Sequence, residues 1–504
     1  MSSRTIKAYK GTIASFLQYG VFIILQATLA PLVLKVAGQE VLGAYSIVMQ
    51  IVGYGILLDL GFGVALSRYL SQSYGIHDQR LRFTEVFTIG RVFLLATNIV
   101  FSLLIFIMAL KIEVLVVASD SIIIEARVAL YFLAVWTVVR TPLALYNQAL
   151  MATQNMSATN IIAIIGNIIR LLLSLVLVYL EFSLVGLVAA NIISEGFIFV
   201  MQMKYFKAKY PYFSFGWKFS NIKLFKEIFS FGLKYWGVNV ATVFSLGSYS
   251  IIVGNLHGVA AASVFYTTMI PSFLLFQFIF RLSDNAAPAT NELVAIGNFE
   301  AVRSAYLKIL RYSLLLALPL AIGIIGFNEA VISAWVGAAQ YAGNIMSLAI
   351  SAFVLTQVVN HINAMITLAA GDMRWWSTVS IVTSLMSLAM SYWLGKMFGM
   401  QWVMVAIALF DIPNAIFLFK RSMAALELSM MRAFCESFIP VILVSLPLCL
   451  FVAYVKSAGP LHSLLSLVLY MMLFSTLWLA SLFLLGLSRS EKEILRNKCQ
   501  SYLS

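Results

Sequence analysis

The sequence predicts an all-helical, polytopic membrane protein with about 14 transmembrane helices. Hydrophobic residues make up 62% of the 504-residue chain and charged residues only 11%, whereas soluble domains carry roughly 25% charged residues. Apolar runs of about 20 residues, the length that a helix needs to cross a bilayer, recur along the chain. A transmembrane barrel would instead show alternating polarity over segments of about 10 residues. The spans are therefore predicted to be helices, whose backbone groups pair internally.

The N-terminal segment is predicted to be an uncleaved first span. It begins with the basic residues Arg4 and Lys7, and its apolar stretch continues to Leu34. A secretory signal peptide has a shorter apolar region that is followed by small residues at a cleavage site. No such site follows here, so we expect this segment to stay in the membrane.

The distribution of Lys and Arg predicts the orientation of the spans. Cytoplasmic loops of membrane proteins carry an excess of these residues. If the N-terminus is cytoplasmic, the loops on that side are basic, and the segment 204–226 is the most basic of them. The loops on the other side contain few cations, namely Lys35, Lys111, Lys396 and Lys456. Both termini are therefore predicted to be cytoplasmic, and this bias explains the net charge of +13 without a nucleic-acid partner.

Two halves of the chain resemble each other at an offset of about 221 residues. Tyr45 matches Tyr266, and Glu195 falls within a few residues of matching Asp411. Each half is predicted to hold six spans, an even number, so the halves have the same orientation and an axis along the membrane normal relates them. Two such lobes around a central cavity are typical of a transporter. The predicted divisions are an N-terminal lobe (1–203), a basic cytoplasmic linker (204–226), a C-terminal lobe (227–420) and two trailing helices with a cytoplasmic tail (421–504).

The chain resembles polysaccharide flippases of the multidrug/oligosaccharidyl-lipid/polysaccharide exporter (MOP) superfamily. The resemblance covers nearly the whole chain and rests on the 14-span layout and two stretches. These are "LAPLVLKVAGQEVLGAYSIVMQIVGYGILLDLGFGVALSRYLSQ" in the first lobe and "NELVAIGNFEAVRSAYLKILRYS" in the second. It implies two lobes that face each other in a V and transport by alternating access.

The resemblance also implies a substrate class. Members of the polysaccharide branch move polyprenyl-diphosphate-linked oligosaccharides from the cytoplasmic to the periplasmic leaflet of the bacterial inner membrane, during O-antigen, capsule or exopolysaccharide synthesis. Membrane lipids, a polysaccharide polymerase and other assembly proteins are then the expected partners. Two alternatives belong to the same superfamily: a peptidoglycan lipid-precursor flippase and a multidrug/cation antiporter. The two trailing helices favour the polysaccharide or peptidoglycan branch, because drug exporters usually have 12 helices.

Ionisable and polar residues inside the spans are the candidate site residues. A charge that faces lipid costs at least about 2.5–3.5 kcal/mol, so these side chains should face protein or water. Cations would offset the desolvation of a diphosphate, and a carboxylate could bind H⁺ or Na⁺ during transport. The substrate-binding candidates are Arg170, Lys234, Asn167, Arg91, His361 and Asn360, and the coupling or ion-pair candidates are Glu195, Asp411 and Asp59.

Arg170 is the deepest of these cations. It lies near the middle of the predicted fifth span, too far from either end for its guanidinium to reach the membrane surface. Two interpretations are open. Arg170 either faces the cavity and binds the diphosphate, or forms a buried ion pair with Glu195 across the turn around Glu181. A paired Arg can still offer donors to a phosphate, so the two roles are compatible.

No enzyme or metal site is predicted. Cys435, Cys449 and Cys499 lie far apart and form neither a metal-ligand cluster nor a disulfide framework. The Ser, Asp and His residues show no nucleophile-elbow or zinc spacing. A membrane-embedded glycosyltransferase or polymerase is a further alternative, but the longest predicted loops, about 20 residues, are short for a catalytic domain. No cofactor is expected apart from a coupling H⁺ or Na⁺.

The predicted orientation can be tested by cysteine labelling in intact cells. Single cysteines at Ser119 and Ser220 in a background without Cys435, Cys449 and Cys499 should differ in their reactivity with a membrane-impermeant thiol reagent. Ser119→Cys should react because its loop is predicted to be periplasmic, and Ser220→Cys should react only after the cells are lysed. The reverse pattern would contradict the orientation.

Overall fold

Among its described residues, the computed structural model contains 14 helices that are long and apolar enough to cross a membrane. It describes residues 3–75, 80–217, 221–295, 297–369, 373–459, 463–488 and 491–493, so Ser220 lies outside the described residues. The predicted all-helical fold with 14 spans is confirmed. In order, spans 1 to 14 are Ile13–Val36, Gln39–Leu58, Arg80–Leu110, Asp120–Ala152, Met156–Tyr179, Ser183–Lys209, Ile222–His257, Val259–Arg281, Phe299–Val336, Asn344–Thr367, Trp375–Phe398, Gln401–Ala425, Met430–Ala458 and Leu464–Gly486.

Local sequence signals set several of the helix ends. Asn221 precedes span 7, and its side chain accepts a hydrogen bond from the backbone N–H of Leu224 at 3.0 Å. Asn298 caps span 9 in the same way, with the N–H of Ala301 at 3.2 Å. These caps satisfy backbone donors that have no partner within the helix. Span 9 ends at Gly337, whose φ of 98° favours glycine.

Span 7 is not one continuous helix. It consists of Ile222–Leu246 and Tyr249–His257, and span 2 likewise contains the helices Gln39–Gly53 and Gly55–Leu58. Another short helix, Phe62–Gly75, follows span 2.

A glycine permits the close approach of spans 2 and 8. A Cβ on Gly43 would lie 1.7 Å from the carbonyl oxygen of Val259, so a larger residue would separate the two backbones.

The chain forms two compact units. Unit 1 comprises residues 1–266 and 377–403, and unit 2 comprises residues 267–376 and 404–504. Within unit 1, span 5 packs against spans 1 and 6, and span 4 packs against spans 3 and 6. Within unit 2, span 9 packs against spans 10 and 13. The division into lobes at residues 203, 227 and 420 derives from the sequence repeat and stays a prediction.

The predicted basic linker (204–226) is largely ordered by aromatic packing. Its first residues continue span 6 to Lys209, and the chain then packs against unit 1. Phe213 lies against Phe83, with ring centroids 4.5 Å apart, and Phe215 stacks on Phe87 at 3.8 Å. Burial of these rings stabilises the segment more than its charges do, because exposed Lys residues contribute little.

The trailing spans 13 and 14 pack on unit 2. Buried residues from span 9, such as Ile322 and Phe327, form one apolar cluster with Leu448 and Val452 of span 13 and Leu467 of span 14. Span 14 is the most exposed of the 14 spans, because only 11% of its most apolar stretch is buried inside the protein. Its remaining apolar surface suits contact with lipid.

Glu491 attaches the segment after span 14 to span 9. Its carboxylate accepts hydrogen bonds from Arg311 and Tyr312, and from the backbone N–H and hydroxyl of Ser488 at 2.8 Å each. Burial alone would raise the pKa of Glu491, but the hydrogen bonds from Tyr312 and Ser488, together with the charge of Arg311, outweigh it and lower the pKa to about 2. The carboxylate is therefore ionised at neutral pH.

The tail attachment should be insensitive to mild acid. The pKa of Glu491 is lower in the folded protein than its value of about 4.3 in the unfolded chain, so ionisation of Glu491 stabilises the folded attachment. This stabilisation is complete above about pH 4.3 and is lost as the pH falls towards about 2. Hydrogen exchange at Ser488 and at residues 491–493 should thus stay slow, after correction for intrinsic rates, from pH 8 to pH 5. Glu491→Gln should raise exchange across that range, whereas the exposed neighbour Glu493→Gln should not. Equal effects of the two substitutions would contradict the assigned role.

Candidate functional site

Arg170 lies in the interior of unit 1 without a carboxylate partner. Its guanidinium donates a hydrogen bond to the hydroxyl of Tyr45, which is 5% exposed, on span 2. Its Nε is buried and has no hydrogen-bond partner. No Asp or Glu of the described residues lies within 4.0 Å of its nitrogens, the limit for an ion pair. The guanidinium group of Arg170 is charged and half-buried, and the protein provides hydrogen-bond acceptors for only some of its N–H groups.

The predicted pair between Arg170 and Glu195 is wrong. Glu195 accepts a hydrogen bond from the indole N–H of Trp136 at 2.8 Å and pairs with Arg140 at 3.5 Å. The amide of Asn191, one turn earlier on span 6, completes its partners at 3.5 Å. Because span 4 packs against span 6, Arg140 lies beside Glu195 and its positive charge balances the negative charge of that carboxylate.

The sequence analysis did not name Arg140 among the candidate residues. The helix of span 4 runs from Asp120 to Ala152, so Arg140 lies well inside the span. The signal in the sequence was a positively charged residue, Arg140, within a long apolar run. Tyr45 was noticed only as part of the repeat, since a tyrosine carries no charge that would single it out as a partner of Arg170.

Two other substrate-binding candidates, Asn167 and Lys234, have different surroundings. Asn167, one turn before Arg170, is buried in unit 1. Lys234 is exposed in the first helix of span 7, and no ion pair in the described part of the chain includes it. A charged ammonium at that position requires water or a polar ligand. Lys234 thus stays a candidate for contact with an anionic substrate.

Arg91 is enclosed by aromatic rings rather than open to a substrate. Its side chain is 7% exposed, and its guanidinium carbon lies 4.6 Å from the ring centre of Trp217 and 5.2 Å from that of Phe87. One guanidinium nitrogen donates to the carbonyl oxygen of Phe215 at 3.4 Å. Cation–π contacts stabilise a guanidinium in such a position. The prediction that Arg91 binds substrate is therefore not supported by its geometry.

Asp59 is held in a turn after span 2. Its two carboxylate oxygens accept from the backbone N–H of Gly63 at 3.2 and 3.3 Å, at the start of the helix Phe62–Gly75. A carboxylate at this place satisfies a helix N-terminus and interacts favourably with the helix dipole. This local role explains Asp59 without a part in ion coupling.

Asp411 of span 12 lies inside unit 2 and is 9% exposed. Its carboxylate accepts hydrogen bonds from the Thr356 hydroxyl, from the amide of Gln357 at 3.1 Å and from the amide of Asn360 at 3.0 Å. All three donors are neutral and lie on span 10. No Lys, Arg or His among the described residues lies within 4.0 Å of the carboxylate, so its negative charge is not compensated there.

His361 faces a different partner from its neighbour Asn360. Its Nε2 lies 2.8 Å from a carboxylate oxygen of Asp284, and its ring stacks on Phe280 with centroids 3.8 Å apart. Arg281 lies 3.9 Å from the same carboxylate group. The sequence analysis did not identify Asp284. This half-exposed cluster on spans 8 and 10 is separate from the carboxylate of Asp411.

The chain resembles known transporters in both sequence and fold. Residues 12–176 match the MatE family. No curated protein sequence matches the chain. One similar solved structure is described as an inward-facing multidrug resistance MATE family transporter of the MOP superfamily; it is 16% identical, with a TM-score of 0.64 over 85% of this chain and 95% of that one.

Two further structures have comparable similarity. One is a MOP superfamily transporter from Pyrococcus furiosus, which is described as having a binding pocket of reverse polarity that suggests a different function. It is 17% identical, with a TM-score of 0.61 over 85% of this chain and 98% of that one. A MATE protein in complex with MaD3S is 17% identical, with a TM-score of 0.60 over 84% and 97%. The chain therefore has the fold of MOP superfamily transporters. The first two of these similar proteins are described as transporters.

The pair between Arg140 and Glu195 should stabilise unit 1. Glu195→Gln should lower the free energy of unfolding by about 1–3 kcal/mol, between the values for exposed and buried pairs, because Arg140 loses its partner inside the span. Adding Arg140→Gln should restore most of the loss. As a control, adding Arg170→Gln should give no such recovery. Thermal unfolding of the purified protein compares these three variants with the unchanged protein, and a first double variant that is no more stable than Glu195→Gln would exclude the pair.

Proposed function

We propose that the chain is a MOP-fold flippase that moves a polyprenyl-diphosphate-linked oligosaccharide across the membrane by alternating access. The observation that carries this proposal is Arg170: a cation inside a membrane span whose only hydrogen-bond acceptor among the described residues is the neutral hydroxyl of Tyr45. A cationic drug would be repelled by such a group, whereas a diphosphate supplies the charge and the acceptor oxygens that it lacks.

Asn167 adds an amide one turn from Arg170, and Lys234 is a further, exposed cation of the same unit. The diphosphate would be held at Arg170 while the polyprenyl chain stays in lipid, which avoids burying a long apolar chain in a polar site. We place the protein in the bacterial cytoplasmic membrane with both termini cytoplasmic, in a pathway for surface polysaccharide with a polymerase as a functional partner.

A second candidate function is multidrug/cation antiport. The similar structures favour it, since two of them are MATE transporters and one is described as a multidrug resistance protein. Asp411 supplies the kind of uncompensated carboxylate that a cation requires. Against it stands the polarity of the Arg170 site. The Pyrococcus furiosus transporter of similar fold is described as having a binding pocket of reverse polarity that suggests a different function.

Transport assays with the purified protein in liposomes distinguish these functions. The flippase should accelerate the movement of a fluorescent polyprenyl-diphosphate oligosaccharide between leaflets and should not transport ethidium. Transport of ethidium without movement of the lipid-linked sugar would establish the antiporter instead. Flipping of a polyprenyl-diphosphate muropeptide in preference to the oligosaccharide would assign the chain to the peptidoglycan branch.

Arg170 should be required for flipping. Arg170→Ala should slow it roughly 10- to 100-fold, because a charge-assisted hydrogen bond contributes about 1.5–3 kcal/mol. Arg170→Lys should retain part of the activity, since it keeps the charge but loses the planar fork of donors. The control is Arg127→Ala, which removes an arginine paired with Glu113 at the end of span 4 and should leave flipping unchanged. Full activity of Arg170→Ala in a folded protein would refute this role.

A further inference from the structure

We infer that a cavity in unit 2 binds the headgroup of an anionic phospholipid from the surrounding membrane. The cavity has a volume of about 430 Å³ and lies where spans 9 and 13 begin and span 14 ends, on the side that the charge distribution predicts to be cytoplasmic. This inference concerns a different unit and a different ligand from the proposed diphosphate site, so it does not depend on the proposed function. It is carried by the charges of the lining, by the level of the cavity along the spans and by the helix geometry of its walls.

The first observation is a row of hydrogen-bond donors on span 9. Ser304, Lys308 and Arg311 line the cavity from one side of this helix, because residues four and three positions apart lie on the same face. Lys308 is exposed, and no ion pair or hydrogen bond in the described part of the chain includes its ammonium group. The Nε of Arg311 is buried without a hydrogen-bond partner, so this guanidinium is only partly satisfied by the protein. An anionic ligand would supply acceptors for these donors.

The charges around the cavity favour a ligand with one negative charge. Both carboxylates of the lining already have cationic partners: Glu491 pairs with Arg311, and Glu436 pairs with Arg432 at 2.7 Å. Among the described residues of the lining, Lys308 is thus the cation that lacks a counter-charge. A phosphodiester headgroup such as that of phosphatidylglycerol carries one negative charge and several acceptor oxygens, so it can balance Lys308 while Glu491 keeps its partner.

The second observation is the level of the cavity along the spans. Beyond Arg311, span 9 has no charged residue until Glu329, and beyond Glu436, span 13 has none until Lys456. Span 14 has no charged residue before its end at the cavity. The cavity therefore lies where each helix changes from charged to apolar, which is the level of the lipid headgroups. Basic pockets between transmembrane helices on the cytoplasmic side bind anionic headgroups at this level.

The apolar part of the lining favours a lipid over a free phosphate ion. Leu307, Pro440 and Leu485 line the same cavity as the donors of span 9. The volume of about 430 Å³ falls within the range of small-molecule sites, about 300–1,000 Å³, and exceeds what one phosphate ion requires. A headgroup with its glycerol and the first acyl carbons would occupy both the polar and the apolar parts.

The third observation is the geometry of the cavity walls, which contain two π-helical turns. Phe434–Phe438 at the start of span 13 contributes Cys435 and Glu436, and Leu482–Gly486 at the end of span 14 contributes Leu485. A π-helical turn inserts an extra residue into a helix, and such turns are rare and frequent at functional sites. Their occurrence in two walls of one cavity indicates that these helices are shaped around a ligand.

Thermal unfolding of the purified full-length protein in detergent tests the site without any transport substrate. Because a ligand that binds only the folded protein stabilises it, dioleoylphosphatidylglycerol should raise the Tm in a saturable manner. Dioleoylphosphatidylcholine, which has the same acyl chains and no net charge, should not. Lys308→Gln should raise the phosphatidylglycerol concentration needed for half of the effect roughly fivefold, the contribution of one cation near a headgroup. Ser304→Trp, which fills part of the cavity without changing its charge, should weaken the response as well.

Two control variants separate this site from the other parts of the protein. Lys420→Gln removes an exposed lysine of the same unit that lies outside the cavity, and it should leave the phosphatidylglycerol response intact. Arg170→Ala should also leave it intact, so loss of the proposed flippase function and loss of phospholipid binding are independent results.

Four outcomes would overturn the assignment. An equal response to phosphatidylcholine, or a response that survives both Lys308→Gln and Ser304→Trp, would exclude headgroup recognition in this cavity. Equal stabilisation by sodium phosphate without lipid would make it an ion site. Displacement of phosphatidylglycerol by an equal concentration of polyprenyl-diphosphate oligosaccharide would assign the cavity to the transported substrate.

Discussion

The cost of placing charge inside an apolar helix bundle governs this structure. Lipid offers neither hydrogen bonds nor counter-charges, so each ionisable group within a span must find a partner in the protein, in water or in a ligand. Four solutions occur in the described residues. Glu195 pairs with Arg140, Arg91 lies among aromatic rings, Arg170 contacts a tyrosine hydroxyl, and Asp411 is surrounded by neutral donors. Glu195 has an opposite charge beside it, whereas no ion pair in the described residues includes Arg91, Arg170 or Asp411. Arg91 and Arg170 each keep a buried Nε without a hydrogen-bond partner.

That difference separates structural groups from candidate functional groups. A buried ion pair whose partners satisfy each other has little capacity to bind anything else without losing stability. An uncompensated charge instead gains stability when a ligand of opposite charge arrives. Arg91 is enclosed by aromatic rings, which leaves Arg170 and Asp411 as the candidate functional groups. These two residues belong to different units.

The sequence repeat helps to explain how this asymmetry arises. Corresponding spans make corresponding contacts, with span 6 against span 4 and span 12 against span 10. Within that common framework the residue opposite the carboxylate differs, Arg140 in one unit and Asn360 in the other. The same helix contacts therefore hold a carboxylate beside a cation in one unit and beside an amide in the other.

The sequence by itself determined the membrane character, the helical class and the number of spans, because these depend on the length and polarity of continuous segments. It also identified Arg170, Glu195 and Asp411 as unusual, since a charge in an apolar run is visible without a structure. Only the tertiary structure decided their partners. Arg140 rather than Arg170 faces Glu195 because pairing depends on how spans 4, 5 and 6 pack and on which faces they present, which depth along the chain does not specify. The environment of Arg91 likewise depends on Phe215 and Trp217, more than 100 residues away in sequence, folding back onto span 3.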